Sequence, residues 1–476
     1  MVSSEGPADL RHVDWGIAVP GGLAGRERAG RGATPSRGQA GRAVSPRARR
    51  WARDIEEIVG VTPHSRRVTI GWRHLQPDGP ASWNRAAVDR CDRTLDAWLS
   101  AGLRPNLSLV YLDLPGWLDD AGGWLRRETA LRFADFAAEM GRRFGDRVDR
   151  WFTFRNLMTP SLADRVAGMA PPGRGAGLAG LPAVHHVLLG HGLAMRALRS
   201  AGVDGEVGCG TALIAAYAAT GDPYDGLAAE RLESWSTRLF LDPLLYGEYL
   251  VPESGVPFME TLGCVRPGDL ETIAQPQDFL GLIWSGPMRA TAPENLPRVL
   301  PALGCFEAMN QVNRLLVRLG FAVVPFEDVP TTSYGWPVIP EALADALAAV
   351  KRIYGDRLPP VHLTDSGIGD LDAGESGRAG ARRRQVRSAC LGWLHAIMAE
   401  GADVRGYEYA PVIEDLDWKL RYTRLYGLAV PDTHPVRLPR PPHDWVATGV
   451  FDPPPPAGPG AATPQRDGTI RLLRTR

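Results

Sequence analysis

The sequence predicts an α/β protein, a single-domain (β/α)8 TIM barrel. Two observations lead there: eight short apolar or β-rich runs spread along the chain, and three-to-four periodicity of apolar residues between them. At 476 residues the chain exceeds a minimal domain and accommodates a large barrel with long insertions. A doubly wound open sheet produces similar alternation, so periodicity alone leaves that architecture standing beside the barrel.

The strands read in order as HVDWGIAV (12–19), RRVTIGW (66–72), RPNLSLVYLD (104–113) and RWFTFRNL (150–157). They continue with GEVGCGTAL (205–213), DFLGLIWSG (278–286), PPVHLTDSG (359–367) and VRGYEYAPV (404–412). Each is bounded by Gly, Pro or charge. One helical pattern places Val88, Cys91, Leu95, Trp98 and Leu99 on one face, and another does the same for Phe133, Phe136, Met140 and Phe144. Residues 1–10 read as a flexible N-terminus and 11–450 as the barrel. Residues 451–476, with four consecutive prolines at 453–456, read as a disordered tail unable to bury enough apolar surface to offset its ordering entropy.

Hydrophobic residues make up 44% and charged residues 23%, as in globular proteins, and the formal net charge is +0. Nothing in that balance drives binding to nucleic acid or an anionic membrane. The segment from Gly25 to Arg50 is arginine-rich, but so is the whole chain, whose only lysines are Lys351 and Lys419; a solvated loop explains it better than a nucleic-acid contact. Five widely spaced cysteines include no CxxC pair, so neither a zinc site nor a disulfide framework is indicated. The first residues lack a basic start followed by an apolar core, and no uninterrupted apolar run approaches ~18 residues, so the expectation is a cytoplasmic protein without a membrane span.

The order and wording of several segments resemble glycoside hydrolase family 1, the β-glucosidase family, from about Trp15 to about Asp432. LSLVYLDLPGWL followed by GGWLRRETALRFADFAAEMGRRFGDRVDRWFTF resembles the third strand, its helix and the fourth strand. LLGHGLAMRALRSAG resembles the next helix, and DFLGLIWSG the sixth strand. SYGWPVIPEALADALAAVKRIYG before PPVHLTDSG resembles the approach to the family's nucleophile, and GYEYAPVIEDLDWKLRYTRLYGLAV the eighth strand with its sugar-gripping loop.

The resemblance implies an active site at the C-terminal ends of the strands. Retaining enzymes need two carboxyl groups there, roughly 5–5.5 Å apart, one attacking the anomeric carbon and the other serving as acid and base. The family places these as glutamates in TFNEP, ending strand four, and TENG, ending strand seven. This chain departs at both. Arg155 and Asn156 stand in WFTFRNLMTP where the family has Asn and the acid/base Glu, and an amide can neither donate nor accept the proton at neutral pH. Asp365 of LTDSG stands at the nucleophile position, one methylene shorter; that retracts the carboxylate by about 1 Å, a displacement able to cost ~100-fold in rate. In the sugar shell, Tyr111 replaces the histidine of HWD while Asp113 remains, Leu23 falls near the early glutamine, and Ile283, Trp284 and Ser285 replace NYY. Asp417 replaces a glutamate, whereas Trp418 and Arg67, the arginine that supports the nucleophile, are retained.

Each residue has a bland reading beside the functional one. Asp365 is either a nucleophile or a leftover carboxylate paired with Arg67. Arg155, whose planar fork suits carboxylate and phosphate, either holds an anionic ligand group or forms a salt bridge to Asp365 or Asp113. Tyr111 and Trp284 either stack on a ring or fill space. Glu408, Glu414 and Asp415 are substitute acids, and the direction of Glu408 is open. His185, His186 and His191 lie in a segment resembling an ordinary family helix, without metal-site spacing.

No metal and no cofactor is expected, and the expected partner is a small glycoside-like ligand, anionic if Arg155 is not consumed internally. Three functions compete. One is a catalytically degenerate family member that binds a glycoside or related metabolite. Another is an enzyme acting on glycosides with good leaving groups, with Asp365 as nucleophile. The third is an assembly protein using the barrel exterior.

Overall fold

Hydrogen bonds join β1 (Asp14–Gly22), β2 (Ser65–Thr69), β3 (Arg104–Val110), β4 (Arg150–Phe154), β5 (Glu206–Ala218), β6 (Phe279–Thr291), β8 (Val361–Thr364) and β9 (Val404–Tyr409) into a parallel ring, which β9 closes by pairing with β1. The open-sheet alternative is thereby excluded. β8 and β9 are the seventh and eighth barrel strands. The short β7 (Ala322–Val324) pairs antiparallel with β6 outside the ring. This computed structural model describes residues 8–22, 52–53, 56–57, 59–112, 114–168, 175–249, 259–296, 313–326, 329–330, 337–365 and 377–409. The readings at Leu23, Asp113, Glu414, Asp415, Asp417 and Trp418, the 25–50 segment and the C-terminal tail lie outside the described residues, as does the side chain of Ser285.

All eight expected strands form, with changed bounds where tertiary pairing intervenes. β5 and β6 run past the expected ends because they remain hydrogen-bonded to each other above the rim, as far as Ala218 opposite Ala290. β7 is too short to show alternation in sequence. Its outer edge is covered by Asn313, whose Nδ2 donates to the Val323 carbonyl at 3.0 Å and whose Oδ1 accepts from the Val323 N–H at 2.9 Å, as a neighbouring strand would.

Helices cover the outside. α1 (Arg85–Ser100) begins at Asn84, whose side chain accepts from the Ala87 N–H, and buries Val88, Cys91, Leu95 and Trp98. Leu99, grouped with them from its spacing, is 40% exposed, because it falls just beyond the apolar stripe. α2 (Arg127–Phe144) buries Phe133, Phe136, Met140 and Phe144, with Trp72 stacked on Phe136. The segment Gly177–Ser200, which contains α3 (Pro182–Ser200), is long and apolar enough to cross a membrane by length and composition, yet 78% of its apolar window is buried within the fold. One hydrophobic cluster runs between the strands and these helices.

The three histidines of α3 point to separate partners. His185 bridges Asp269 and Tyr249 at 2.9 Å each, His186 Nδ1 meets the Trp124 carbonyl at 3.0 Å, and His191 Nδ1 meets the Thr153 hydroxyl at 2.8 Å. Burial pushes His186 down to about 4 and His191 to about 3, so both are neutral packing groups near pH 7.

Gly192 brings α3 against α4 (Asp269–Ile273). A Cβ there would lie 1.9 Å from the Thr272 carbonyl oxygen, a backbone atom that cannot swing aside. Gly192→Ala is therefore expected to force the helices apart and lower stability by about 1–3 kcal/mol, read by urea unfolding. A change below ~0.5 kcal/mol, the range of an ordinary surface substitution, would contradict this packing argument.

Candidate active site

Small and polar residues at alternate positions set the barrel interior. In RPNLSLV of β3, Asn106 and Ser108 alternate with Leu107 and Leu109; the leucines join the outer cluster while the polar pair faces inward. Arg67 lies beside Asn106 in the β2–β3 register, Glu408 lies on β9 opposite Gly16 of β1, and both side chains are 2% exposed. Gly16 makes room for Glu408 and Ser65: a Cβ there would sit 3.0 Å from the Glu408 Cγ and 2.2 Å from the Ser65 Oγ.

Asp365 reaches the interior by a break in strand geometry. Val361 and Leu363, two residues apart in β8, join the outer hydrophobic cluster, so an uninterrupted strand would send residue 365 the same way. Instead β8 stops at Thr364 and Asp365 adopts φ 53°, a left-handed conformation that aspartate tolerates better than most residues. This rotation delivers its carboxylate to the arginines, and it ends the strand at Thr364.

The described residues form an alternating chain of charge. Glu408 accepts from Arg67 Nε and, at 3.0 Å, from Asn106 Nδ2. Arg67 Nη1 donates to Ser108 Oγ at 3.3 Å, and Nη2 donates to Asp365 Oδ2 at 2.6 Å. Arg155 grips the same carboxylate with two bonds, Nη2 to Oδ1 at 2.6 Å and Nε to Oδ2 at 3.1 Å. The Arg155 guanidinium carbon stands 4.2 Å from the Tyr111 ring centroid, and that of Arg67 stands 5.1 Å from Phe152. Burial alone would raise the Asp365 pKa, but Arg155 and Arg67 outweigh it and hold the carboxyl well below the usual range. It is ionised at neutral pH, and both its oxygens are engaged.

Several open readings close. Of the two readings of Arg155, the internal salt bridge to Asp365 is the arrangement present. Tyr111 is the face on which that guanidinium rests. Glu408 points into the barrel, and its oxygens accept from Arg67 and Asn106. Asn156, after β4, turns its Oδ1 back to accept from the Met158 N–H at 3.0 Å and so caps its own loop. Trp284 is level with Asp365, one residue beyond the Ile283–Thr364 pairing, and packs on the outer hydrophobic cluster. The sequence reading missed Asn106 and Ser108. Their signal was polar residues at period two in an otherwise apolar strand.

The fold, this constellation and the wider sequence then meet in one comparison. The family described as glycosyl hydrolase family 1 matches residues 36–447. The chain belongs to glycosyl hydrolase family 1. It is 34% identical over 403 residues to thermostable β-glucosidase B of Thermobispora bispora, covering 82% of this chain and 77% of that protein. It superimposes on the psychrophilic β-glucosidase BglU of Micrococcus antarcticus with a TM-score of 0.65 at 30% identity, covering 84% of this chain and 88% of that one. The virulence factor SghA, solved with its substrate analogue salicin, matches with a TM-score of 0.60 at 28% identity, covering 77% of this chain and 76% of that one.

Proposed function

We propose that this protein is a glycosyl hydrolase family 1 barrel with a degenerate catalytic centre, which binds a glycoside or related metabolite without ordinary retaining hydrolysis. The observation that carries the reading is the two-bond grip of Arg155 on Asp365 beside an amide at the acid/base position. A carboxylate whose oxygens already accept from two guanidiniums is a poor nucleophile, and Asn156 has no proton to give a leaving alkoxide. Cellobiose and alkyl β-glucosides are therefore expected to remain intact, while a glycoside that binds the native state raises the melting temperature. Cellobiose hydrolysis at rates ordinary for the family, abolished by Asp365→Ala, would overturn this reading.

One observation favours a second reading. Asp365 keeps its charge and its place among the strand ends, held by Arg67. A glycoside whose leaving group departs as a stable anion needs no proton, so slow release of an activated aryl group, lost in Asp365→Asn, would identify an enzyme of altered chemistry.

A further inference from the structure

We infer that Phe152 is a positioning residue of the site: its ring face seats the Arg67 guanidinium so that Arg67 is held toward Asp365. The inference goes beyond the binding reading above, since it concerns how the site is held and not what occupies it.

The barrel interior beneath the site is filled by rings. Phe152 of β4 is level with the inward-facing Ser108 of β3 on one side and with Gly208 of β5 on the other. Its ring meets Phe279 of β6 at 4.7 Å and 68°, an edge-to-face contact, and His362 of β8 meets Phe279 at 5.3 Å and 72°. Glycines make room for all three. A Cβ on Gly281 would sit 2.8 Å from Phe152 Cε1, one on Gly208 3.1 Å from the Phe279 ring, and one on Gly406 1.9 Å from His362 Nδ1. Burial, aided by Arg150, pushes the His362 imidazole down to about 3, so these three rings carry no charge near pH 7.

A cation lies at each end of the stack. Toward the N-terminal ends of the strands, the Arg150 guanidinium carbon stands 5.4 Å from the Phe279 centroid, anchored by Glu206 at 2.8 Å and Asp14 at 3.1 Å. Toward the site, the Arg67 guanidinium carbon stands 5.1 Å from the Phe152 centroid. Its hydrogen bonds to Glu408, Ser108 and Asp365 all leave from the edge of the guanidinium plane. Such bonds fix direction within the plane and restrain its tilt weakly, whereas a ring against the face restrains the tilt directly. Phe152 is fully buried between Phe279 and Gly281, so it cannot follow the guanidinium. The Nη2 that reaches Asp365 at 2.6 Å thus inherits its position from the ring.

The test is a double-mutant cycle read by urea unfolding of the full chain at neutral pH. The proteins are the wild type, Phe152→Leu, Asp365→Ala and the pair. Phe152→Leu loses packing, but that loss is common to both backgrounds and cancels in the cycle. Asp365→Ala should lower the folding equilibrium constant by a factor about tenfold smaller in the Phe152→Leu background than in the wild type. The non-additivity should vanish when Arg67→Met removes the guanidinium through which it acts. Phe152→Met serves if the leucine variant folds poorly, since a flexible thioether fills the same space without a ring face.

Additive effects overturn the inference, as does non-additivity that survives Arg67→Met. A larger penalty in the Phe152→Leu background overturns it too, because the ring would then only share the charge of Arg67 with Asp365. Should Arg67→Met fail to fold, the Arg67 Nε–H resonance decides. In the wild type it should lie upfield, shielded by the ring face, and in Phe152→Leu it should move downfield and exchange with water at least about tenfold faster. An unchanged position and exchange rate overturn the inference.

Discussion

Asp365→Ala is expected to lower stability by ~3–5 kcal/mol, far more than loss of a rim side chain, because it leaves Arg67 and Arg155 facing each other across a buried gap. Asp365 is the middle of the charge chain, bonded to Arg67 at 2.6 Å and to Arg155 at 2.6 and 3.1 Å. Arg155→Asn should cost less, about 1.5–3 kcal/mol, since Asp365 then keeps Arg67. The pH dependence follows from the depressed Asp365 pKa. A carboxyl whose folded pKa lies below its unfolded value contributes stability above the unfolded value, about 3.9 for aspartate, and loses it as pH falls through the folded one. Wild-type stability should therefore fall more steeply below about pH 4 than that of Asp365→Ala. Urea unfolding at neutral and acid pH measures both effects. Equal stability of the two proteins at neutral pH would show that Asp365 is not the clamp at the barrel mouth.

The second large effect concerns activity. Asn156→Glu alone restores a proton donor in kind, but Asp365 stays covered by Arg155 and little aryl β-glucosidase activity should follow. Arg155→Asn alone uncovers Asp365 without supplying an acid. The double variant Arg155→Asn/Asn156→Glu should exceed either single variant by ~100-fold or more, the lower range of a well-placed general acid. Asp365→Glu added to it should raise the rate again, because the missing methylene leaves the carboxylate about 1 Å short and such a displacement costs ~100-fold. Asn156→Glu alone matching the double variant would show that Arg155 does not obstruct the nucleophile position. Initial rates on an aryl β-glucoside with a poor leaving group measure the acid's contribution, since only such a group requires protonation.

Much of the candidate site was legible because its residues sit at strand ends. Asn156 and Arg155 follow directly from the end of β4, and Asp365 from the end of β8. Asn106 and Ser108 were visible in principle as alternating polar residues in β3, but alternation reports two faces without saying which is the barrel interior. The direction of Glu408 was hidden for the same reason. What settled it was its neighbours: Gly16 on the adjoining strand, which yields the space, and Arg67 two strands away, which supplies the charge. The extra length of β5 and β6 was hidden because the two strands hold each other above the rim and β6 is also held by β7, contacts between segments far apart in sequence.

By itself the sequence determined the strand–helix alternation, the helical faces and the family likeness, since these rest on local periodicity and on residue identity, while closure of the barrel came from strand pairing. The tertiary structure alone decided how Arg155 and Asp365 are used. Whether Arg155 waits for a ligand or holds Asp365 depends on the left-handed turn at Asp365, which swings a carboxylate out of the strand's alternation and into reach of two guanidiniums. Those guanidiniums come from β2 and from the end of β4, and a bond between groups 298 or 210 residues apart leaves no trace in local pattern. Charge pairing at the centre of a barrel is a property of closure, because only the closed ring brings β2, β4, β8 and β9 to one axis where unpaired charge cannot be tolerated.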